Sequence, residues 1–211
     1  MKSKVTTGPA SEPVSLAELK LSLRITDTAQ DALLTQYIED ARDMAERYTG
    51  RKFISQTLTS YADAWGAMSE EWWSGHRRGA VGYNIGGGGS IGFDYAPAIG
   101  ISSVETIDSS NNESAYDASN YYLESFDDDI LPRMQFNDSA TFPSDLRDSS
   151  AWKIVWTAGY GTASTDVPSS IRRAIVMMAG FLYENRGDCD GDCADECGAS
   201  KLLRKFKIVR G

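Results

Sequence analysis

The chain is short of the residues that usually carry chemistry. Its 211 residues include one histidine, His76, and three cysteines, all between Cys189 and Cys197. A cysteine cluster so local cannot staple distant segments together, so no long-range disulfide framework holds the fold. A Ser-His-Asp site would have to be assembled around His76, inside a glycine-rich stretch, and no serine sits in a G-x-S-x-G elbow. Basic residues are also few: 21 against 30 acidic ones, a formal net charge of −9. That balance excludes a generally basic nucleic-acid binder, because an acidic surface repels phosphate. No stretch approaches the run of about eighteen apolar residues that a membrane-spanning helix needs. The opening MKSKVTTGPASEP has no apolar run of signal-peptide length. The expectation is a soluble protein, made in the cytoplasm of its producing cell, with no membrane partner.

Other chemistries are equally thin. CDGDCADEC spaces Cys189, Cys193 and Cys197 by four, which on a helix would place them on one face. The glycine and aspartates between them disfavour that helix, and structural zinc asks for four ligands, usually with a C-x-x-C pair. Cys189, Cys193 and Cys197, with Asp190 or Asp192, are the candidate metal ligands; the alternative is an acidic linker that happens to carry thiols. GGGGS at 86–90 lacks the Lys-Ser/Thr of a P-loop, and TAGYG at 157–161 lacks G-x-G-x-x-G spacing, so both read as turns. Asp127, Asp128 and Asp129 form a charge run with no apolar pocket to raise a carboxyl pKa. The sequence therefore predicts no catalytic residue and no cofactor.

What the chain does have is a patterned core. A hydrophobic fraction of 41% and five tryptophans mark a folded protein. Residues 1–13 read as a flexible arm. Ser15 and Glu18 make an S-x-x-E capping box, with Val14 placed to staple onto Leu19. A helix follows to about Arg24. A second helix, capped at Asp27 or Thr28, sets Leu34, Ile38, Ala41, Ala45 and Tyr48 on one face and ends at Gly50. From Phe53 the β-branched and aromatic content predicts strands: Phe53–Ala64, Val104–Asp108, Tyr121–Ser125, Ile130–Phe136 and Trp152–Thr157, with a Gly-rich loop insertion over 66–95. Pro168 opens a last long helix, over 166–187, that is apolar on nearly every side from Ile171 to Tyr183. Such a helix must be covered all round, either by its own domain or by neighbouring copies. Ile171, Ile175, Met178, Phe181 and Leu182 are the candidate subunit-interface residues.

The carboxyl end, 188–211, divides by charge into an acidic Cys-containing linker and a basic amphipathic tail. The tail is formed by Lys201, Leu202, Leu203, Arg204, Lys205, Phe206, Lys207, Ile208, Val209 and Arg210. It has the character of a docking peptide for a partner, or of a final element packed on its own domain. The fold class is α+β: an N-terminal helical pair (14–52) and the closing helix (166–187) forming a small helical bundle, with a central antiparallel β insertion (53–160).

The order of these elements resembles the tailed-bacteriophage head–tail connector (adaptor) proteins, of the gp6-like and phiE125 gp8-like kind. The resemblance rests on PVSLAELKLSLRI at 13–25 and on DALLTQYIEDARDMAERYTGRKFISQTL at 31–58 with its Y-T-G-R string. It continues through YAPAIGISSVETI at 95–107, D-x-x-x-Y-Y-L at 117–123 and WKIVWTAGYG at 152–161. VPSSIRRAIVMMAGFLYENRG at 167–187 and LLRKFKIVR at 202–210 complete it. It implies a virion subunit at the head–tail junction, in a homo-oligomeric ring commonly of twelve copies beneath the portal. The ring bridges the portal to the neck or tail proteins and leaves DNA a continuous channel without sequence-specific binding. Other neck roles (head completion, tail termination) share this composition, and the cysteine cluster leaves a small metal-binding protein as a further alternative.

Overall fold

The computed structural model describes residues 2–64, 89–125, 131–185 and 193–208. The fold is α+β with antiparallel sheets, and the chain forms two compact units. One comprises residues 9–55 and 160–208 and is helical. The other, among the described residues, comprises 2–8, 56–64, 89–125 and 131–159 and is built of strands.

The helical unit begins with α1, Leu16–Leu23. Its capping box forms as the sequence predicts: the Ser15 hydroxyl accepts from the Glu18 N–H, and the Glu18 carboxylate accepts from the Ser15 N–H at 2.8 Å. Arg24, in the left-handed region at φ 57°, ends the helix. Helix α2, Asp31–Thr49, starts later than the sequence suggests. Asp27 turns its carboxylate onto the Ala29 N–H at 3.0 Å, which makes a local turn instead of a cap. Gly50, at φ 74°, closes α2. Helix α3 is Ser169–Glu184, and two short helices follow: α4, Cys193–Glu196, and α5, Ser200–Leu203. A 3-10 turn at Arg204–Phe206 leads to Ile208. The core of this unit joins both ends of the chain. Leu19, Leu34, Ile38 and Phe53 meet Ile171, Ile175 and Met178, then Leu203 and Phe206.

The other unit contains β1 (Lys2–Thr7), β2 (Gln56–Ala62), β3 (Ser90–Gly92), β4 (Ala98–Ile107), β5 (Glu113–Ala115), β6 (Tyr121–Glu124), β7 (Arg133–Phe136) and β8 (Trp152–Ala158). Five strands form an antiparallel sheet in the order β1-β2-β8-β4-β5, and three form a second in the order β3-β7-β6. In β8 the period-two pattern of the sequence becomes a buried face of Trp152, Ile154, Trp156 and Ala158. Trp156 stacks on Phe93 with centroids 4.2 Å apart, and its indole N–H donates to the buried Ser60 hydroxyl at 2.7 Å. Trp152 meets Tyr116 edge-on at 5.0 Å and lies 5.3 Å from Phe136. On the other face Lys153 is held between Glu105 and Glu113, and hydrogen bonds to both carboxylates keep its ammonium charged well beyond the ordinary lysine range.

The structure departs from the sequence reading at both termini. The arm expected over 1–13 is largely strand: β1 pairs with β2 from Lys2 to Thr7. Its two lysines and otherwise small polar character suit the edge position it takes, where one side of the ladder stays open. At the other end, the segment expected to be linker and tail is folded from Cys193 to Ile208. Most of the glycine-rich insertion, with His76, lies outside the described residues, as do Asp127 to Asp129; the end of the insertion forms β3. Among the described residues, no helix is long and apolar enough to cross a membrane.

Two substitutions check these cores. Trp156→Ala should lower the stability of the strand-built unit by about 3–5 kcal/mol, read from urea unfolding followed by near-UV circular dichroism. Ser15→Ala should cost about 1 kcal/mol through loss of the α1 cap alone.

Candidate assembly site

The Y-T-G-R string ends α2 and turns the chain into its first interior charge cluster. Gly50 takes the left-handed conformation, and Arg51, Lys52 and Phe53 then run inward. Glu46, one turn earlier, is only 1% exposed. Its carboxylate accepts from Lys52 Nζ at 2.7 Å and from the Phe53 N–H at 3.1 Å, while Arg42 Nη1 lies 3.7 Å away. Arg42 also donates to Glu12 at 2.8 Å. Burial raises the Glu12 carboxyl above its ordinary value, and the Arg42 charge opposes that rise.

Arg51 is wholly buried and donates through Nε to the Phe206 carbonyl at 2.5 Å. Beside it the Ile208 N–H donates to the Thr49 carbonyl at 2.9 Å, and Lys207 Nζ sits 4.7 Å above the Tyr48 ring. The end of the chain is therefore latched to the turn after α2 by one buried guanidinium and one backbone bond. The T-A-G-Y-G string has its own steric reason. A Cβ on Gly161 would stand 2.1 Å from Asp166 Oδ2, the atom that accepts the Ala163 N–H, and Gly161 bridges to Ile54.

The structure divides the tail residues expected to dock a partner. Leu203, Phe206 and Ile208 are buried in the chain's own helical core and offer a partner no surface. Leu202 is half-buried, whereas Lys201, Arg204, Lys205 and Lys207 are exposed; Val209 and Arg210 lie outside the described residues. The closing helix divides in the same way. Ile171, Ile175 and Met178 are fully covered within the chain, which removes them from any interface, while Phe181 and Leu182 keep part of their surface. The cover that hydrophobicity alone left undecided comes on one side from α1 and α2. On the other it comes from the terminal helices, where Met177 reaches the left-handed turn at Gly198. Sequence reasoning missed Arg51 and Glu46, because a charged residue in a short string reads as surface until its partners are known.

Cys193, on α4, is buried, and Cys197, in the turn just after it, is half-buried; Cys189, Asp190 and Asp192 lie outside the described residues. Among the described residues no three His, Cys, Asp or Glu side chains come together as a metal ion would require. Charge is unevenly shared. Acidic side chains clearly outnumber basic ones in the described strand-built unit and balance them in the helical unit.

Residues 13–71 match the family described as "Phage gp6-like head-tail connector protein". The chain resembles the phage gp6-like head–tail connectors, as its element order suggested. Among solved structures it is similar to a chain of the neck of an empty GTA particle computed with C6 symmetry, at 20% identity and a TM-score of 0.75. It is also similar to a chain in the virion of a native gene transfer agent (GTA) particle, at 22% identity and a TM-score of 0.75. A third likeness is to a chain of the native GTA neck computed with C12 symmetry, at 21% identity and a TM-score of 0.73. Each alignment covers 100% of this chain and 97% of the other, so the whole fold is shared, both units included. No curated protein matches the sequence.

Removing one partner of the buried cluster should be costly. Glu46→Ala removes the buried carboxylate that accepts from Lys52 and from the Phe53 N–H, and should destabilise the helical unit by about 3–5 kcal/mol in denaturant titration. Arg47→Ala, whose pair with Asp43 is solvent-exposed, should change stability by less than about 1 kcal/mol.

Proposed function

We propose that this protein is a structural head–tail connector (adaptor) subunit of a tailed phage or phage-like particle. Copies form a ring, twelve in number, beneath the portal, join it to the neck or tail, and keep the DNA channel continuous. The observation that carries the reading is the end-to-end likeness of the fold to chains of neck particles, together with the family match over residues 13–71. In this reading the helical unit is a small bundle that forms the rigid body of the ring. The acid-rich strand-built unit offers passing DNA a surface with little adhesion.

The portal contact falls to the exposed basic residues of the terminal segment, Lys201, Arg204, Lys205 and Lys207. Latched by Arg51, they sit on a folded support and lose little freedom on binding. The partly exposed Phe181 and Leu182 are the remaining residues of α3 available to a neighbour.

Localising the chain by electron microscopy in assembled particles tests the role directly: density for it at any site other than the head–tail junction rejects the proposal. A finer test separates docking from folding. Deleting residues 199–211 should unfold the helical unit, because Leu203, Phe206 and Ile208 leave its core. The triple change Lys201→Glu, Arg204→Glu, Lys205→Glu should keep the circular dichroism and melting of the wild type yet yield heads without tails. Normal joining by that triple variant would rule out the basic face as the portal contact.

A further inference from the structure

A ring of more than two copies needs two different surfaces on each chain, complementary and on opposite sides, because a self-complementary patch closes as a dimer. The helical unit carries such a pair, centred on α2. One flank of α2 is polar and satisfied within the chain: Asp31 binds Lys20 at 2.6 Å, Arg42 binds Glu12, and Glu46 binds Lys52. The other flank is apolar. Leu33, Tyr37 and Met44 follow one another at helical spacing; Met44 is 38% exposed and the other two are half-buried, while Tyr48, one turn on, lies under Lys207. At the edge of this stripe Asp40 is exposed and forms no ion pair among the described residues.

Helix α1 is tied to the polar flank by the Lys20–Asp31 pair. Its own outward face is unusual. Leu21 is 82% exposed, the most exposed large apolar side chain among the described residues, with Ala17 one turn before it and Arg24 just after it, both exposed. Arg24, like Asp40, forms no ion pair among the described residues. A single exposed leucine needs no explanation by itself. An exposed leucine beside a cation with no ion pair among the described residues, and an apolar stripe beside an anion with none, form a complementary pair.

We infer that the α2 stripe is the docking surface for α1 of the next copy of this chain. Leu21 enters between Tyr37 and Met44, and Arg24 pairs with Asp40. The contact is heterologous, and its repetition by rotation gives a closed ring. The inference rests on the connector reading for the existence of a ring, and it adds which surfaces meet. Both surfaces lie in one compact unit, so the contact does not depend on the placement of the strands.

The test uses the full-length chain, with assembly followed by light scattering and by electron microscopy, and with folding checked by circular dichroism. Arg24→Asp and Asp40→Arg should each raise the concentration needed for half-assembly by about tenfold, and the double swap should restore it. Leu21→Ser, at a position too exposed to matter for folding, should weaken assembly without changing the melting temperature. If the wild-type chain forms rings and all three single variants do so equally well, the α1–α2 contact is refuted while the connector reading stands. If the double swap assembles no better than either single swap, the Arg24–Asp40 pairing is refuted. If the wild-type chain forms no ring either in solution or in particles, the connector reading falls and this contact falls with it.

Discussion

The helical unit depends on how the chain leaves α2. At that point it must reverse, enter the interior and lead into β2, which begins at Gln56. Gly50 supplies the left-handed turn that a residue with a Cβ adopts only at a cost. The reversal drives Arg51 and Lys52 inward, and buried charges are tolerable only when paired and hydrogen-bonded. Glu46 answers Lys52, and the Phe206 carbonyl answers Arg51. The same few atoms therefore fix the end of α2, the exit toward β2 and the position of the terminal segment. Hydrophobic burial supplies the larger share of the stability; these polar contacts determine which arrangement is stabilised.

Connectivity follows from that arrangement. The chain leaves the helical unit into β2 and returns from β8, and these two strands are ladder partners from Gln56–Ala158 to Ala62–Trp152. Departure and return are thus side by side, and everything between them is an insertion into a helical body whose two halves close on one core. The likeness to the neck chains extends over both parts.

Much of this was legible in the sequence where periodicity is strong. The S-x-x-E box at Ser15, the Leu34–Ile38–Ala41–Ala45 stripe and the alternation in β8 each produced the element expected of it, since local pattern and tertiary burial agree there. The misses have local causes. KSKVTT is too short and too polar to register as a strand until β2 is present to pair with it. The carboxyl segment reads as a linker because glycine and aspartate dominate its first half, yet Ala194, Ala199, Leu203 and Phe206 carry enough apolar surface to fold it. Asp27 fits a helix cap by its place in the sequence, but its carboxylate serves a tighter turn. The assembly surfaces were legible only in part. Hydrophobicity marks α3 as needing cover, but it cannot say that the cover comes from α1, α2 and the terminal helices of the same chain, or that Ile171, Ile175 and Met178 end up sealed inside.

The terminal latch also bears on how fast the body can form. Arg51 and the Phe206 carbonyl it binds are 155 residues apart in sequence, and the whole strand-built insertion lies between them. A contact of that separation forms only after a long loop has closed, so the entropy of closure is met before the bond rewards it. The helical unit is thereby a body of high contact order, although helices by themselves form from local contacts.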